Sequence, residues 1–504
     1  MKKILSVILL TGLICNGYAQ RILSLDSCRT LALANNKELR IAKEKINAAH
    51  YQQKAAFTNY LPKIDLMGTY MRTQKEISLL SDDQKQSIGN IGSSTGAQLQ
   101  QQFKQLAALN PGLAASLEKP LMALMPGLTS GLNGIGQTLV DGLRTDTRNM
   151  TLGAATLTQP LFMGGKIIAY NKITKYAERL AESQHATGMQ DLILNTDQAY
   201  WQVISLANKK KLAEGFLKLV RKLDSDVEQM VAEGVATKAD GLSVKVKVNE
   251  AEMTLTQVEN GLSLSKMVLC QLCGIPLNTQ IKLADEDMEN LTLPDTYIES
   301  NVQTALANRE ELKSLELASQ IYRQKVNVVR SEFLPSVGLT INYMVTNPSL
   351  VNGFENKFRG MWAAGIVVKI PVFHWGEGIY KVKAAKAEAN IARYRLEDVK
   401  EKIELQVTQS SYKVNEASKR LVMAQNSMDK ADENLRYATL GFKEGVIPTS
   451  NVLEAQTAWL SAQSNKIDAQ IDVKMSELYL NKSMGTLKSV SYTHLRAHET
   501  LANL

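Results

Sequence analysis

The chain has 504 residues and a formal net charge of +8, with 58 Lys and Arg against 50 Asp and Glu. The charges interleave, and the longest basic run past the N-terminus is Lys209-Lys210-Lys211. That is the pattern of solvated helix faces, and it argues against a nucleic-acid surface.

Residues 1–19 read as a secretory signal: Lys2 and Lys3 supply the positive start, Ile4 to Ile14 the apolar core, and Gly17-Tyr18-Ala19 the small residues of a cleavage site. The apolar core is too short to span a bilayer, and Leu13-Ile14 before Cys15 lacks the small residue of a lipidation signal. No later segment is a transmembrane helix candidate. The mature protein is expected to be exported, and either soluble or held in a membrane by strands.

An internal repeat decides the architecture. Ala32-Leu33-Ala34-Asn35, Glu38-Leu39, Leu61-Pro62 and Tyr70-Met71 recur at one constant offset as Ala305-Leu306-Ala307-Asn308, Glu311-Leu312, Leu334-Pro335 and Tyr343-Met344. A second, shorter offset carries Pro160 and Phe162 onto Pro371 and Phe373, Glu233-Gly234-Val235 onto Glu444-Gly445-Val446, Leu242 onto Leu453, and Gly274 onto Gly485. The chain therefore reads as two copies, residues 20–274 and 298–487, joined by a linker over 275–297. The first copy holds an extra segment.

Each copy predicts the same elements in the same order. A first helix ends at Leu61-Pro62 or Leu334-Pro335, because the residue before proline is pushed out of helical geometry. Alternating strands follow, near Lys63–Tyr70 and Asn149–Gln159 in the first copy and Ser336–Tyr343 and Trp362–Ile370 in the second. A long helix comes next, about Gly165–Met230 and Glu377–Leu440, then a glycine-containing tip and a return helix, about Ala239–Cys273 and Ser450–Met484. Neither helical pair contains a proline until its return begins.

The second long helix carries small and apolar residues at three- and four-residue steps. One run is Ala389, Ala392, Leu396, Val399 and Ile403, and another extends from Val407 through Val414, Leu421 and Met428 to Ala438. This spacing predicts packing along a narrow seam over roughly 95 Å at ~1.5 Å per residue.

The extra segment, 74–147, is rich in Gln, Ser, Gly and Leu and holds Pro111, Pro120 and Pro126; it predicts an extended loop with partial helix. Cys270-x-x-Cys273 could be redox-active in an oxidising compartment. It closes an amphipathic helix without a thioredoxin-like context, however, so packing is the expected role. Residues 488–504 leave both the repeat and the apolar register. They hold His494 and His498 at i, i+4, a possible metal pair, but read as unstructured and non-native.

The two repeats yield four strands per chain, whereas the smallest membrane barrels need about eight. An open sheet edge in lipid leaves backbone groups unpaired, so membrane strands here require several chains to share one barrel.

The duplicated Ala-Leu-Ala-Asn-x-x-Glu-Leu, the Leu-Pro pairs, Gln159-Pro160-Leu161-Phe162, Ile370-Pro371-Val372-Phe373 and the tip Leu440-Gly441-Phe442-Lys443-Glu444-Gly445-Val446 together resemble the TolC family of outer-membrane efflux proteins. The resemblance covers essentially all of residues 25–487. It implies an α plus membrane β-barrel fold: a trimer with a twelve-stranded barrel and an α-helical tunnel of coiled-coil hairpins through the periplasm. It also implies an exit channel in a tripartite pump, with a periplasmic adaptor and an inner-membrane transporter as partners.

The resemblance places adaptor contacts at the tips: Gly234, Val235, Thr237 and Leu242, and Gly445, Val446, Thr449 and Leu453. It also implies an aperture closed by carboxylates. Arg436 stands at the corresponding distance from the tip, which leaves Asp429, Asp432 and Glu433 as candidates.

An enzyme is not expected. No nucleophile–base pair, metal cluster or phosphate loop is recognisable, no cofactor is implied, and His50, His185 and His374 have no partner at useful spacing. The alternatives are the outer-membrane component of type I protein secretion, or an exported coiled-coil scaffold without a pore.

Overall fold

A computed structural model describes residues 21–74, 80–143, 146–286, 301–349 and 355–487. The predicted signal and the tail with His494 and His498 lie outside the described residues. The chain divides into two units, one of helices and one built on a sheet.

The helical unit is framed by two hairpins. In the first, α6 (Lys166–Ala232) is followed by α7 (Lys238–Leu272); in the second, α10 (Glu377–Lys443) is followed by α11 (Thr449–Ser483). Each long helix has 67 residues and each return helix 35. At ~1.5 Å per residue a long helix extends roughly 100 Å.

The seam read from the sequence is the buried stripe of α10, which includes Ala392, Ile403, Val407, Ser410, Ala417, Leu421, Met428 and Ala438. Its middle packs on α11, where Leu421 and Ala417 share a cluster with Ala469 and Val473. Ion pairs join the hairpins: Lys209 to Asp468 at 2.7 Å across the two copies, and Arg420 to Asp472 at 2.8 Å within the second. Exposed pairs of this kind stabilise by at most ~1 kcal/mol each; buried apolar contact carries the pairing.

Where one first helix was expected per copy, there are two. In the first copy α1 (Leu25–Asn35) stops and α2 (Lys37–Phe57) starts afresh, and in the second α8 (Val302–Asn308) gives way to α9 (Glu310–Ser331). Asn36 makes the first break: its backbone is extended, and its side-chain oxygen accepts from the amides of Glu38 and Leu39 at 2.9 and 3.2 Å. An Asn oxygen that caps orphan amides offsets the interruption.

The break lets Asn35 press on the end of the first hairpin. A Cβ at Gly274 would lie 2.5 Å from Asn35 Cβ, and one at Gly485 2.9 Å from the carbonyl carbon of Asn308. Both glycines have positive φ, +66° and +67°, so the repeated Ala-Leu-Ala-Asn and the repeated glycine are two halves of one contact.

A short parallel pair, β1 (Arg21–Leu23) with β4 (Ile281–Leu283), lies over this region. Beneath it Tyr200, Val203, Ile204, Leu269, Cys28, Cys270 and Cys273 form a core cluster. All three thiols are fully buried; hydrogen bonding with Cys273, followed by burial, pushes the Cys28 thiol above the ordinary range, and burial does so for Cys270. The Cys-x-x-Cys is thus core packing.

Beside it, Arg29 donates to both oxygens of the fully buried Asp197 at 2.7 and 2.6 Å. Burial pushes the Asp197 carboxyl up, and the two bonds from Arg29 oppose that shift. Tyr200 Oη donates to Asp285 at 2.6 Å.

The second unit holds one antiparallel sheet in the order β2-β3-β5-β6: β2 (Lys63–Arg72), β3 (Asn149–Met163), β5 (Ser336–Asn347) and β6 (Arg359–Lys369). The two copies meet at β3–β5, where the register shifts between Pro160 and Phe162, as expected of a proline that cannot donate to the ladder.

The register sorts the side chains by face. Ile64, Leu66 and Tyr70 of β2 share one face with Leu157 of β3, Val337, Leu339, Ile341 and Tyr343 of β5, and Trp362, Ile366 and Val368 of β6. The other face is mixed: Asp65, Thr69, Thr156, Thr158, Thr340 and Asn342 stand among Met67, Leu152, Met344, Met361 and Val367. Every residue of the edge strands β2 and β6 is exposed, Leu66 at 82% and Trp362 at 72%.

Between β6 and α10, Trp375 adopts φ +49°, at the repeat position where the first copy has Gly164 with φ +59°. A non-glycine residue there is uncommon.

The segment expected to be an extended loop with partial helix is mostly helical over its described part, in α3 (Asp82–Gly89), α4 (Ile91–Leu109) and α5 (Pro111–Gly142). Close packing overrides the weak propensity. A Cβ on Gly92 would collide with the carbonyl of Thr129, and one on Gly136 with that of Ile88. Asn133 of α5 caps the start of α4, accepting from the amides of Gly92 and Ser93 at 2.8 and 3.1 Å. Pro111 sits harmlessly in the first turn, and Pro120 and Pro126 lie inside α5.

The Arg29–Asp197 pair gives a direct test. Asp197→Ala strands a buried guanidinium and is expected to lower stability by about 3–5 kcal/mol, whereas Arg29→Met with Asp197→Leu should recover most of that loss. Denaturant titration of the detergent-solubilised protein reads both. A double variant no more stable than the single one would refute the assignment.

Candidate functional site: the hairpin tips

The tips follow from helix-ending chemistry. At the first, Gly234 takes φ +77°, and the amides of Val235 and Ala236 donate back to Met230 O at 2.8 and 3.1 Å. At the second, Gly445 takes φ +74°, and Val446 and Ile447 donate to Gly441 O at 2.9 and 3.1 Å. A left-handed glycine that folds the next amide back onto the last turn closes each long helix.

The tips restart differently. Thr237 and Asp240 form a reciprocal cap at the start of α7: Asp240 N donates to Thr237 Oγ1 at 3.2 Å, and Thr237 N to Asp240 Oδ2 at 3.0 Å. The Thr237 hydroxyl and amide hold the Asp240 carboxyl below its usual range. Before α11 the cap position is Pro448, which makes no side-chain cap bond. Thr449, the first residue of α11, is buried, so Thr237 and Thr449 are not equivalent.

Val235 and Val446 are the most exposed apolar residues of the tips, at 68% and 79%. Leu242 is 65% exposed, while Leu453 is half-buried against a cluster that draws on all four hairpin helices: Phe216, Val220 and Val227 of α6, Val244 of α7, Phe442 of α10 and Val452 of α11. The two tips therefore share one core. Gly441, quoted in the sequence motif but not singled out as a site residue, matters here because a Cβ would sit 2.6 Å from Ile447 Cδ1.

The carboxylate candidates lie on the exposed side of α10 in three different settings. Asp429 accepts from Gln425 at 2.9 Å, one turn back. Glu433 stands 3.9 Å from Arg436, whose guanidinium also lies 4.3 Å from the ring centre of Tyr437. Asp432 differs, because its Oδ1 accepts from Trp459 Nε1 of α11 at 2.6 Å and so ties the long helix to its return. Sequence spacing could not reveal that partner across the hairpin.

The same limit hid the partner of His50, whose Nδ1 lies 2.7 Å from Glu178 Oε1. His374 makes an edge contact with Phe333. Among the described residues no group of His, Cys, Asp and Glu could hold a metal ion, and no helix is long and apolar enough to cross a membrane.

Paired long hairpins, a sheet with one apolar face and two open edges, and a shared tip define a channel-forming class rather than an enzyme. The family model described as "Outer membrane efflux protein" matches residues 121–274 and 301–486. The chain belongs to that family; it is a passive outer-membrane exit channel for efflux.

It is similar to the cobalt-zinc-cadmium resistance protein CzcC of Cupriavidus metallidurans, with 22% identity over 65% of this chain and 75% of that protein. It is similar to the outer membrane protein TolC of Vibrio cholerae, with 25% identity over 66% and 75%. The crystal structure of the Campylobacter jejuni CmeC outer membrane channel shares the fold, with a TM-score of 0.69 at 16% identity, over 95% of this chain and 89% of that one.

Asp432→Ala removes the acceptor for Trp459 and is expected to loosen α10 from α11 and raise single-channel conductance in planar bilayers, with Asp432→Asn close to the unsubstituted protein. Conductance indifferent to Asp432→Ala would remove this residue from the aperture candidates.

Proposed function

We propose that three copies form one conduit: a twelve-stranded barrel in the outer membrane continued by six helical hairpins across the periplasm, with an adaptor docking on the tips. The carrying observation is the sheet. Its apolar face is continuous over four strands, and among the described residues no further strand pairs with the outer edges of β2 and β6. Lipid offers them no partner, so the β6 edge of one copy must meet the β2 edge of the next.

A wide tube of this kind is unselective, and the transporter behind it sets the cargo. The adaptor reads the tips at Gly234, Val235, Thr237 and Leu242 and at Gly445, Val446 and Leu453; Thr449 supports the turn from within. Two exposed valines beside accessible backbone offer a small apolar contact ringed by polar groups, the usual form of a docking patch. Asp429, Asp432 and Glu433 narrow the periplasmic end.

Light scattering of the detergent-solubilised protein is expected to give a trimer. Gly445→Trp should abolish efflux and adaptor capture while trimers and membrane insertion persist. Normal drug or metal resistance in that variant would end the docking assignment, and a monomer would end the shared barrel.

A further inference from the structure

The helix α5 presents an apolar stripe that none of the described residues of its own chain covers. Leu113, Leu117, Leu124, Leu128, Ile135 and Leu139 recur at steps of four and seven residues and are between 40% and 66% exposed. They lie along one side of the helix, the geometry of a coiled-coil seam. The neighbouring side is already used: it packs on α3 and α4 through Ala114, Met125, Gly136 and Val140.

Beside the stripe stand Gly127, Gly131 and Gly134. A Cβ on any of them would meet nothing within 4 Å. Glycine is the poorest helix former after proline. Gly136 is required by the carbonyl of Ile88, but these three have no such reason within one chain. Small residues along a helix allow a second helix to approach closely.

We infer that α5 is an interface helix, packing its leucine stripe and open glycines against α5 of neighbouring copies of this chain. The inference rests on the trimeric reading above. Two observations select a second copy over lipid. First, residues 82–142 hold three Lys, four carboxylates, a single Phe and neither Trp nor Tyr. An interfacial membrane helix instead carries a basic face and aromatic anchors. The stripe itself is uncharged, so copies do not repel.

Second, the segment leaves the sheet after the edge strand β2 and re-enters beside it, where Thr73 N donates to Arg148 O at 2.8 Å. The β2 edge is where the neighbouring chain must pair, so the stripe continues that interface beyond the strands. A bundle of α5 helices would sit at the end of the sheet where β2 leaves and β3 enters.

The test is disulfide trapping in the full chain, in outer-membrane preparations treated with copper phenanthroline. Leu128→Cys and, as a second reporter, Leu124→Cys are expected to give linked dimers on non-reducing gels. Lys119→Cys, exposed on another side of α5, should give none. The native thiols at Cys28, Cys270 and Cys273 are buried.

Trimers by light scattering without either link would overturn the inference and leave the trimer standing. Monomers would remove both. Equal linking at Lys119→Cys would mark random collision and overturn it. So would quenching of a fluorophore on Leu128→Cys by brominated lipid, which would show lipid as the occupant.

Discussion

The constraint on which this molecule depends is that its long helices cannot stand alone. Each runs for 67 residues, α10 with a narrow buried stripe and α6 with a broader buried face around residues 192–207, and most helical stability in proteins comes from a packed face rather than propensity. The seam of Ala, Ser, Val and Leu on α10 is met by α8, α9 and α11 around Ile403 and Val407, by α11 around Leu421, and by the first hairpin at Phe442 near the tip. Small residues keep the axes close, and the absence of proline keeps the ladder of backbone bonds unbroken. The tips, the shared cluster around Phe442 and Val452, and the caps at Asn36 and Thr237 all serve to hold the ends of that contact in register.

The sheet poses the complementary problem. Helices satisfy their own backbone, but a four-stranded sheet cannot. On the proposed reading, other copies complete its apolar face and its edges, so that assembly supplies what one chain's four strands do not.

Much of this was legible in the sequence. The rods, their tips and the four strands fall within a few residues of where periodicity, glycine and proline put them, because each is a local pattern repeated twice. The Asn36 break was not legible, since it interrupts one apolar run without a proline or glycine. Contacts between helices distant in sequence, Trp459 with Asp432, His50 with Glu178 and Arg29 with Asp197, have no sequence signature at all. The segment at 74–147 misled because Gly, Gln and Pro argue for a loop. There, glycines buried against carbonyls made helices that propensity alone would not. The tip residues were found by type, yet burial separated Thr449 from Thr237, whose place in the second copy is taken by Pro448.

The two hairpins share few identical residues, yet their members match in length, 67 with 67 and 35 with 35. A chain in which one rod grew by a turn would present its tips at unequal heights, and no substitution could repair the step. Drift in residue identity is thus permitted while drift in residue count is not. Each hairpin acts as the gauge for the other, and a change in the distance they bridge must be written into both at once.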